Sequence, residues 1–94
     1  MHYVYIIYSL SEDSFYIGET MDIDNRIIEH NSDLHIHSFT RRANDWEIYY
    51  ILECTSKIQA QKIEKHIKRM RNRKYYENIK KYPNISIKLL EKYL

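Results

Sequence analysis

The stretch that decides the fold is Tyr3-Val4-Tyr5-Ile6-Ile7-Tyr8-Ser9, followed after a polar turn by Phe15-Tyr16-Ile17-Gly18. Both runs are rich in β-branched and aromatic residues and read as strands. Ser11-Glu12-Asp13-Ser14 between them is short and polar, so the pair is expected to form an antiparallel hairpin. Side chains alternate along a strand, which puts Tyr3, Tyr5 and Ile7 on one face and Val4, Ile6 and Tyr8 on the other. Gly18 is the only glycine in the chain. An isolated glycine at a strand end marks close backbone approach or a φ that other residues avoid.

Beyond the hairpin, Thr20 to Asn31 reads as a helix. Thr20 is its expected N-cap, Asp22 and Asp24 suit the positive end of the helix dipole, and Ile23 and Ile27 mark the buried stripe. Ser32 to Asp45 is polar and reads as a loop. Trp46 to Glu53 reads as a third strand. Ser56 and Gln59 fit a capping box, and the helix they open is expected to bury Ala60, Ile63, Ile67 and Met70 and to end near Arg71 to Arg73. A shorter helix, Lys74 to Lys81, follows. Pro83 punctuates the chain, and Asn84 is expected to open a last helix that buries Ile85, Leu89 and Tyr93. The expected class is α+β, a small three-stranded antiparallel sheet flanked by helices in the order β-β-α-β-α-α-α, with residues 1–94 forming one domain. The chain's 94 residues suffice for one modest core.

Hydrophobic residues make up 44% and charged residues 30%, which argues against disorder. No apolar run approaches the roughly 20 residues that span a bilayer. The opening residues lack a basic region and a small-residue cleavage site, so no secretion signal is expected. A single cysteine, Cys54, cannot form an intramolecular disulfide, and a reducing intracellular compartment, cytoplasmic or nuclear, fits best. Net charge is only +2, but it is segregated: Met1 to Thr55 carries three basic and ten acidic residues, Ser56 to Tyr82 ten basic and two acidic. Such a field suits a phosphate backbone, although a lysine-rich solvated helix face would give the same count.

Ten tyrosines are present, a number that accompanies abundant isoleucine, lysine and asparagine and so carries little by itself. Their positions carry more. Ten residues separate Tyr5 from Tyr16, one on each hairpin strand. Here the chain resembles the GIY-YIG nuclease family, most closely its compact stand-alone members. Tyr3-Val4-Tyr5 stands where the family has Gly-Ile-Tyr, and Tyr16-Ile17-Gly18 matches the second triplet outright. The first triplet's glycine is replaced by Tyr3, a position with no catalytic group. The family's arginine on the first helix is matched by Arg26, its histidine one turn later by His30, and the metal-binding glutamate of the later long helix by Glu64. Gly18 belongs to the matched triplet. Asn78 is the nearest candidate for a late asparagine, with Asn72 and Asn84 competing.

The resemblance implies a divalent-metal-dependent endonuclease that hydrolyses DNA phosphodiesters, with Mg²⁺ or Mn²⁺ held by Glu64 and by water and phosphate oxygens. Arg26 would hold the scissile phosphate. Tyr5 would orient or deprotonate the attacking water, Tyr16 would line the same pocket, and His30 would accept or relay a proton. Arg41, Arg42, Lys62, Lys65, Lys68 and Lys74 are candidates for contacts to the DNA backbone, which position a substrate without reading its sequence. Weak sequence preference or recognition of DNA shape is expected, in repair, recombination or genome processing; RNA has the same reactive linkage.

Each residue also has a plainer role available. Tyr5 and Tyr16 would serve as sheet aromatics, Arg26 would pair with Asp22 or Glu29, and Glu64 with Lys68 at i, i+4. Zinc is a poor match: His30, His35, His37 and Cys54 follow no structural zinc spacing. Two other functions stay open at this stage. One is a non-catalytic nucleic-acid-binding module, the other a nuclease subunit that needs a protein partner for targeting.

Overall fold

The computed structural model describes residues 1–32 and 39–94, the side chains of residues 39 and 41 excepted. The elements are β1 (His2–Ser9), β2 (Ser14–Thr20), α1 (Ile23–His30), a single 3₁₀ turn (Phe39–Arg42), β3 (Trp46–Cys54), α2 (Lys57–Met70), α3 (Arg73–Lys81) and α4 (Pro83–Lys92). The three strands form one antiparallel sheet in the order β2-β1-β3. This is the expected α+β architecture. Among the described residues no helix is long and apolar enough to cross a membrane.

β1 lies in the centre and is buried on both faces, with Val4, Tyr5, Ile6 and Ile7 all sealed from solvent. The period-two reading of its faces holds. Val4 and Ile6 join Ile17, Leu52, Ala60, Ile63, Ile67, Tyr76, Ile79 and Leu89 in the larger core under α2, α3 and α4. Tyr5 and Ile7 join Trp46 on the opposite face, where Tyr16, Ile23 and Ile27 close over them. The sheet therefore separates an apolar core from a smaller, phenol-rich one. Between Ile6 and Ile7 the pairing with β3 slips, so that Tyr50 and Ile48 oppose adjacent residues and Tyr49 is the extra residue of a bulge.

Local chemistry accounts for the helix ends, with some corrections. The N-cap of α1 is Asp22, whose carboxylate accepts from the Asn25 N–H at 3.1 Å; Thr20 is not the cap but the last residue of β2. Thr20 still assists, because its Oγ1 accepts from the Asp22 N–H. Ser56 caps α2 as expected, accepting from the Gln59 N–H. Gln59 reciprocates one residue earlier than in a standard box, on the Thr55 N–H, and its amide donates to the Leu90 carbonyl of α4. Met70 is 42% exposed, not buried. Met70 keeps the helical spacing but is the last residue of α2, beyond the cluster that buries Ile63 and Ile67, and the chain turns left-handed at Arg71 (φ 44°, ψ 45°) to close the helix. Asn72 caps α3, which starts at Arg73. Pro83, not Asn84, is the first residue of α4, where a missing N–H costs nothing. The polar stretch expected to be all loop contains the 3₁₀ turn.

Candidate active site

Register positions the phenols. Antiparallel pairing places Tyr5 opposite Gly18 and Ile7 opposite Tyr16. Tyr5 and Tyr16 are thus diagonal neighbours on one face, with ring centroids 6.4 Å apart. α1 packs over this face and brings His30 between them, 5.9 Å from Tyr5 and 5.0 Å from Tyr16 by centroid.

His30, at the end of α1, is fully buried. Its Nε2 lies 2.9 Å from the Tyr5 hydroxyl, and its Nδ1 lies 2.9 Å from Thr40 Oγ1. A neutral imidazole has one donor and one acceptor nitrogen, and both partners are hydroxyls, so either tautomer satisfies the chain. Thr40 is itself fully buried, and its carbonyl accepts from the Trp46 indole N–H at 3.0 Å. Sequence reasoning missed Thr40. It sits in a polar stretch without periodicity, and the one usable signal was a hydroxyl ten residues beyond the histidine.

Arg26 and Glu64 reach the same phenols from two helices. Arg26 pairs with Glu29 on its own helix at 3.1 Å, and Glu64 with Lys68 at 3.4 Å. Both are the plainer roles foreseen for them. Neither pair removes the residue from the site. Burial pushes the Tyr5 hydroxyl well above its ordinary pKa; Tyr16 adds to the rise, Arg26 opposes it by charge and by a hydrogen bond, and the Glu64 carboxylate adds further. Tyr16 is raised by burial and then by Glu64, again against Arg26. A guanidinium and a carboxylate that both act on two phenols lie around one site. Glu64 gets there because α2 runs beside the edge strand β2, with Lys68 Nζ 5.9 Å from the Tyr16 ring centroid. Beside Arg26 a cleft of about 350 Å³ opens, bounded among others by Glu19, Asp22 and Glu29.

A family model of the GIY-YIG catalytic domain matches residues 1–80 of the chain. The chain belongs to the GIY-YIG family of nucleases. No curated protein and no solved structure matches it as a similar protein. Family membership makes it a nuclease domain that acts on DNA, of a kind that generally uses a divalent metal.

The GIY-YIG site fits such an ion in a particular way. The Glu64 side chain is 19% exposed, open enough for a hydrated cation and withdrawn from bulk solvent. Among the described residues no three His, Cys, Asp or Glu side chains gather. One carboxylate completed by water and phosphate oxygens is an arrangement suited to Mg²⁺, which sheds water reluctantly, and unlike a closed zinc cage. Cys54 is a buried free thiol at the end of β3, raised in pKa by burial.

The other candidates divide. Gly18 lies under the Tyr5 ring. Lys68 stands at the site. Lys62 and Lys65 are exposed on α2, at about 160° and 100° around the helix from Glu64, on its outer side. Lys74 is exposed in the first turn of α3. Arg42 pairs with Glu12 at 3.0 Å on the hairpin turn. The Arg41 side chain, with His35 and His37, falls outside the described residues. Asn78 is half-buried on α3, and its side chain makes no hydrogen bond among the described residues; Asn72 is spent as a helix cap.

Proposed function

We propose that this chain is a Mg²⁺- or Mn²⁺-dependent DNA endonuclease in which Tyr5, Tyr16, Arg26, His30 and Glu64 form the catalytic site. The observation that carries the reading is the joint action of Arg26 and Glu64 on the two hairpin phenols, one of which is hydrogen-bonded to a buried histidine. A binding module would need neither the carboxylate nor the Tyr5–His30–Thr40 chain.

A phenol with a raised pKa is a poor free base. The hydrogen-bonded chain supplies a way round this. His30 carries its proton on Nδ1, donated to Thr40 Oγ1, which leaves Nε2 to accept from Tyr5. A water that attacks the phosphorus gives its proton to the Tyr5 oxygen as Tyr5 gives its own to His30. No free phenolate is formed. Tyr16 lines the pocket and helps to hold the water or a phosphate oxygen. Arg26 binds the scissile phosphate with its planar fork and offsets the charge that grows on the equatorial oxygens. Glu64 would hold the divalent ion, which when bound supplies Lewis-acid stabilisation of the departing 3′ oxygen.

Weak sequence preference with selection for DNA shape, such as a flap, branch or nick, follows from the lack of a groove-reading helix or finger in the sequence. Work in repair, recombination or genome processing, inside the cell, goes with this reading, and the buried free thiol of Cys54 suits a reducing compartment. All 94 residues act as one unit in this proposal, since α4, beyond the family match, packs Leu89 into the core shared with α2 and α3.

The test is incubation of labelled branched, nicked and linear DNA with Mg²⁺, wild type beside Glu64→Ala. Cleavage by the wild type that the variant loses is the expected result. Equal binding by both with no cleavage by either would make the chain a binding module, and cleavage that appears only in a cell extract would point to a partner-dependent subunit.

A further inference from the structure

A second groove, of about 280 Å³, lies between the hairpin turn and the α2–α3 junction, lined by Ser14, Phe15, Arg71, Asn72, Arg73 and Tyr76. Its apolar part is the Phe15 and Tyr76 rings, 5.2 Å apart by centroid. Arg73 is fixed in place: its guanidinium carbon lies 5.2 Å from the Phe15 ring centroid, Nη1 bonds Asp13 Oδ1 at 2.8 Å, and Nη2 donates to the Asp13 carbonyl. That occupies the Asp13 carboxylate, which also accepts from the Tyr8 hydroxyl. Arg71 has no ion pair among the described residues. The two non-glycine residues with positive φ among those described are Asp13 (48°) and Arg71 (44°); Arg71 lines this groove, and Asp13 holds Arg73, which lines it too. Backbone held in this sparsely populated region is found at ligand clamps.

The groove opens on the α2–α3 face of the sheet, and α2 carries residues both of it and of the catalytic site, which Lys68 reaches past the edge strand. Glu64 and Lys68 share one side of α2 at i and i+4, and Arg71 follows as the left-handed C-cap that lines the groove. At 1.5 Å per residue, Glu64 and Arg71 are about 10 Å apart along the axis. One strand of B-form DNA rises about 3.4 Å per phosphate and also winds around the axis, so phosphates stand farther apart than the rise and the same distance is covered within about two nucleotides.

We infer that this groove binds the phosphodiester backbone of the cut strand within about two nucleotides of the scissile phosphate, with Arg71 as the direct anion contact and Arg73, anchored by Asp13, as the second positive wall. The inference rests on the nuclease reading and extends it to how the substrate is held. Lys68, beside Tyr16, stands between the two phosphates. Arginine suits this place because its fork meets two phosphate oxygens at once. The contact reads no base, which agrees with weak sequence preference.

The test uses Arg71→Gly. Glycine favours the left-handed backbone at a helix C-terminus, so the variant removes the charge while folding at least as well as the wild type. Binding of labelled DNA is measured by fluorescence anisotropy in EDTA over a range of salt, with a thermal melt beside it. The expected result is affinity lower by roughly fivefold at moderate salt, a log-log salt slope smaller by about one, and an unchanged or higher Tm. Arg71→Lys should recover part of the affinity. With the cleavage position mapped, trimming the cut strand so that no phosphate remains beyond the scissile one, from either end in turn, should weaken the wild type at one end and leave Arg71→Gly unaffected there. A wild type that binds and cuts DNA, with Arg71→Gly equal to it in affinity and slope, overturns the groove assignment alone. A wild type that binds no DNA at all overturns the nuclease reading itself.

Discussion

The ring of Tyr5 lies against the α-carbon of Gly18, its partner across the hairpin. A Cβ built on Gly18 would stand 2.4 Å from the Tyr5 hydroxyl oxygen and 2.6 Å from Cζ. The glycine is therefore required by a close approach, since its φ is not in the left-handed region. The contact fixes where the hydroxyl points, toward His30 Nε2. The glycine of the second triplet and the tyrosine of the first are one structural unit.

Gly18→Ala should cost about 1–3 kcal/mol in stability, because the ring is buried and has no room to swing aside. Urea denaturation measures it. Tyr5→Ala in the same chain should remove the clash, so the double variant should lose less than the two single losses combined. Strict additivity would mean that ring and glycine do not touch in solution.

Tyr5→Phe should keep the fold and lose the chemistry. The ring remains, so the loss of stability should be about 1–3 kcal/mol, for a His30 nitrogen left without its partner. Single-turnover cleavage should fall by about 10²-fold or more, the scale of a lost acid–base group. Tyr16→Phe, at the half-exposed edge of the pocket, should fall less. Cleavage by Tyr5→Phe at the wild-type rate would refute the proposed relay.

How much of this was legible beforehand depends on how local each cause is. Alternation along β1 is a two-residue pattern, and it gave both faces of the sheet correctly. The Ser56 cap is a four-residue pattern and was equally readable. Thr20 and Asp22 are both good caps two positions apart, and only the length of β2 decides between them. Met70 has the right spacing but is the last residue of α2, and spacing alone does not announce where a helix runs past the core. The site itself was readable only through spacing across the hairpin and along two helices. Thr40 was out of reach, since its role depends on a chain reversal that brings it back onto His30. The ion pairs of Arg26 and Glu64 were foreseen as rivals to catalysis, yet the structure has both residues paired and acting on the phenols.

Thr40→Val should disturb the reaction through His30, while Thr40→Ser should not. Valine cannot bond Nδ1, which leaves that buried ring nitrogen without its hydroxyl partner and the imidazole free to tilt. The rate should fall by about tenfold, and the acid side of the pH–rate profile should move, with serine restoring both. A loss of stability with an unmoved profile would reduce Thr40 to a packing residue.

Buried phenols should limit stability in alkali. Burial pushes Tyr50 up to about 12, its bond to Ser86 Oγ notwithstanding, and raises Tyr5 as well. In the unfolded chain both ionise near 10. Above that pH the unfolded state has lost protons that the folded state keeps, so stability must decline as pH rises from about 10 toward the folded values. Below pH 10 these groups give no slope. Tyr50→Phe should flatten the decline in Tm between pH 10 and 12, and an identical decline in that variant would remove Tyr50 as its cause.

Lys68→Ala should separate the two partners of Glu64. The Glu64–Lys68 pair spans one turn of α2, and Lys68 is 48% exposed, so its loss should change stability by less than about 0.5 kcal/mol. Its effect on cation binding should be larger. An ammonium 3.4 Å from the carboxylate competes with any divalent ion drawn to the same oxygens. Removing it should lower the Mg²⁺ or Mn²⁺ concentration that gives half-maximal cleavage, and it should weaken DNA binding in EDTA, because a cation near Tyr16 is lost. Glu64→Gln should abolish the metal response altogether, and excess EDTA should reproduce that loss in the wild type. If Lys68→Ala leaves the metal requirement unchanged while Glu64→Gln still cuts DNA, the carboxylate serves the helix surface and not the ion.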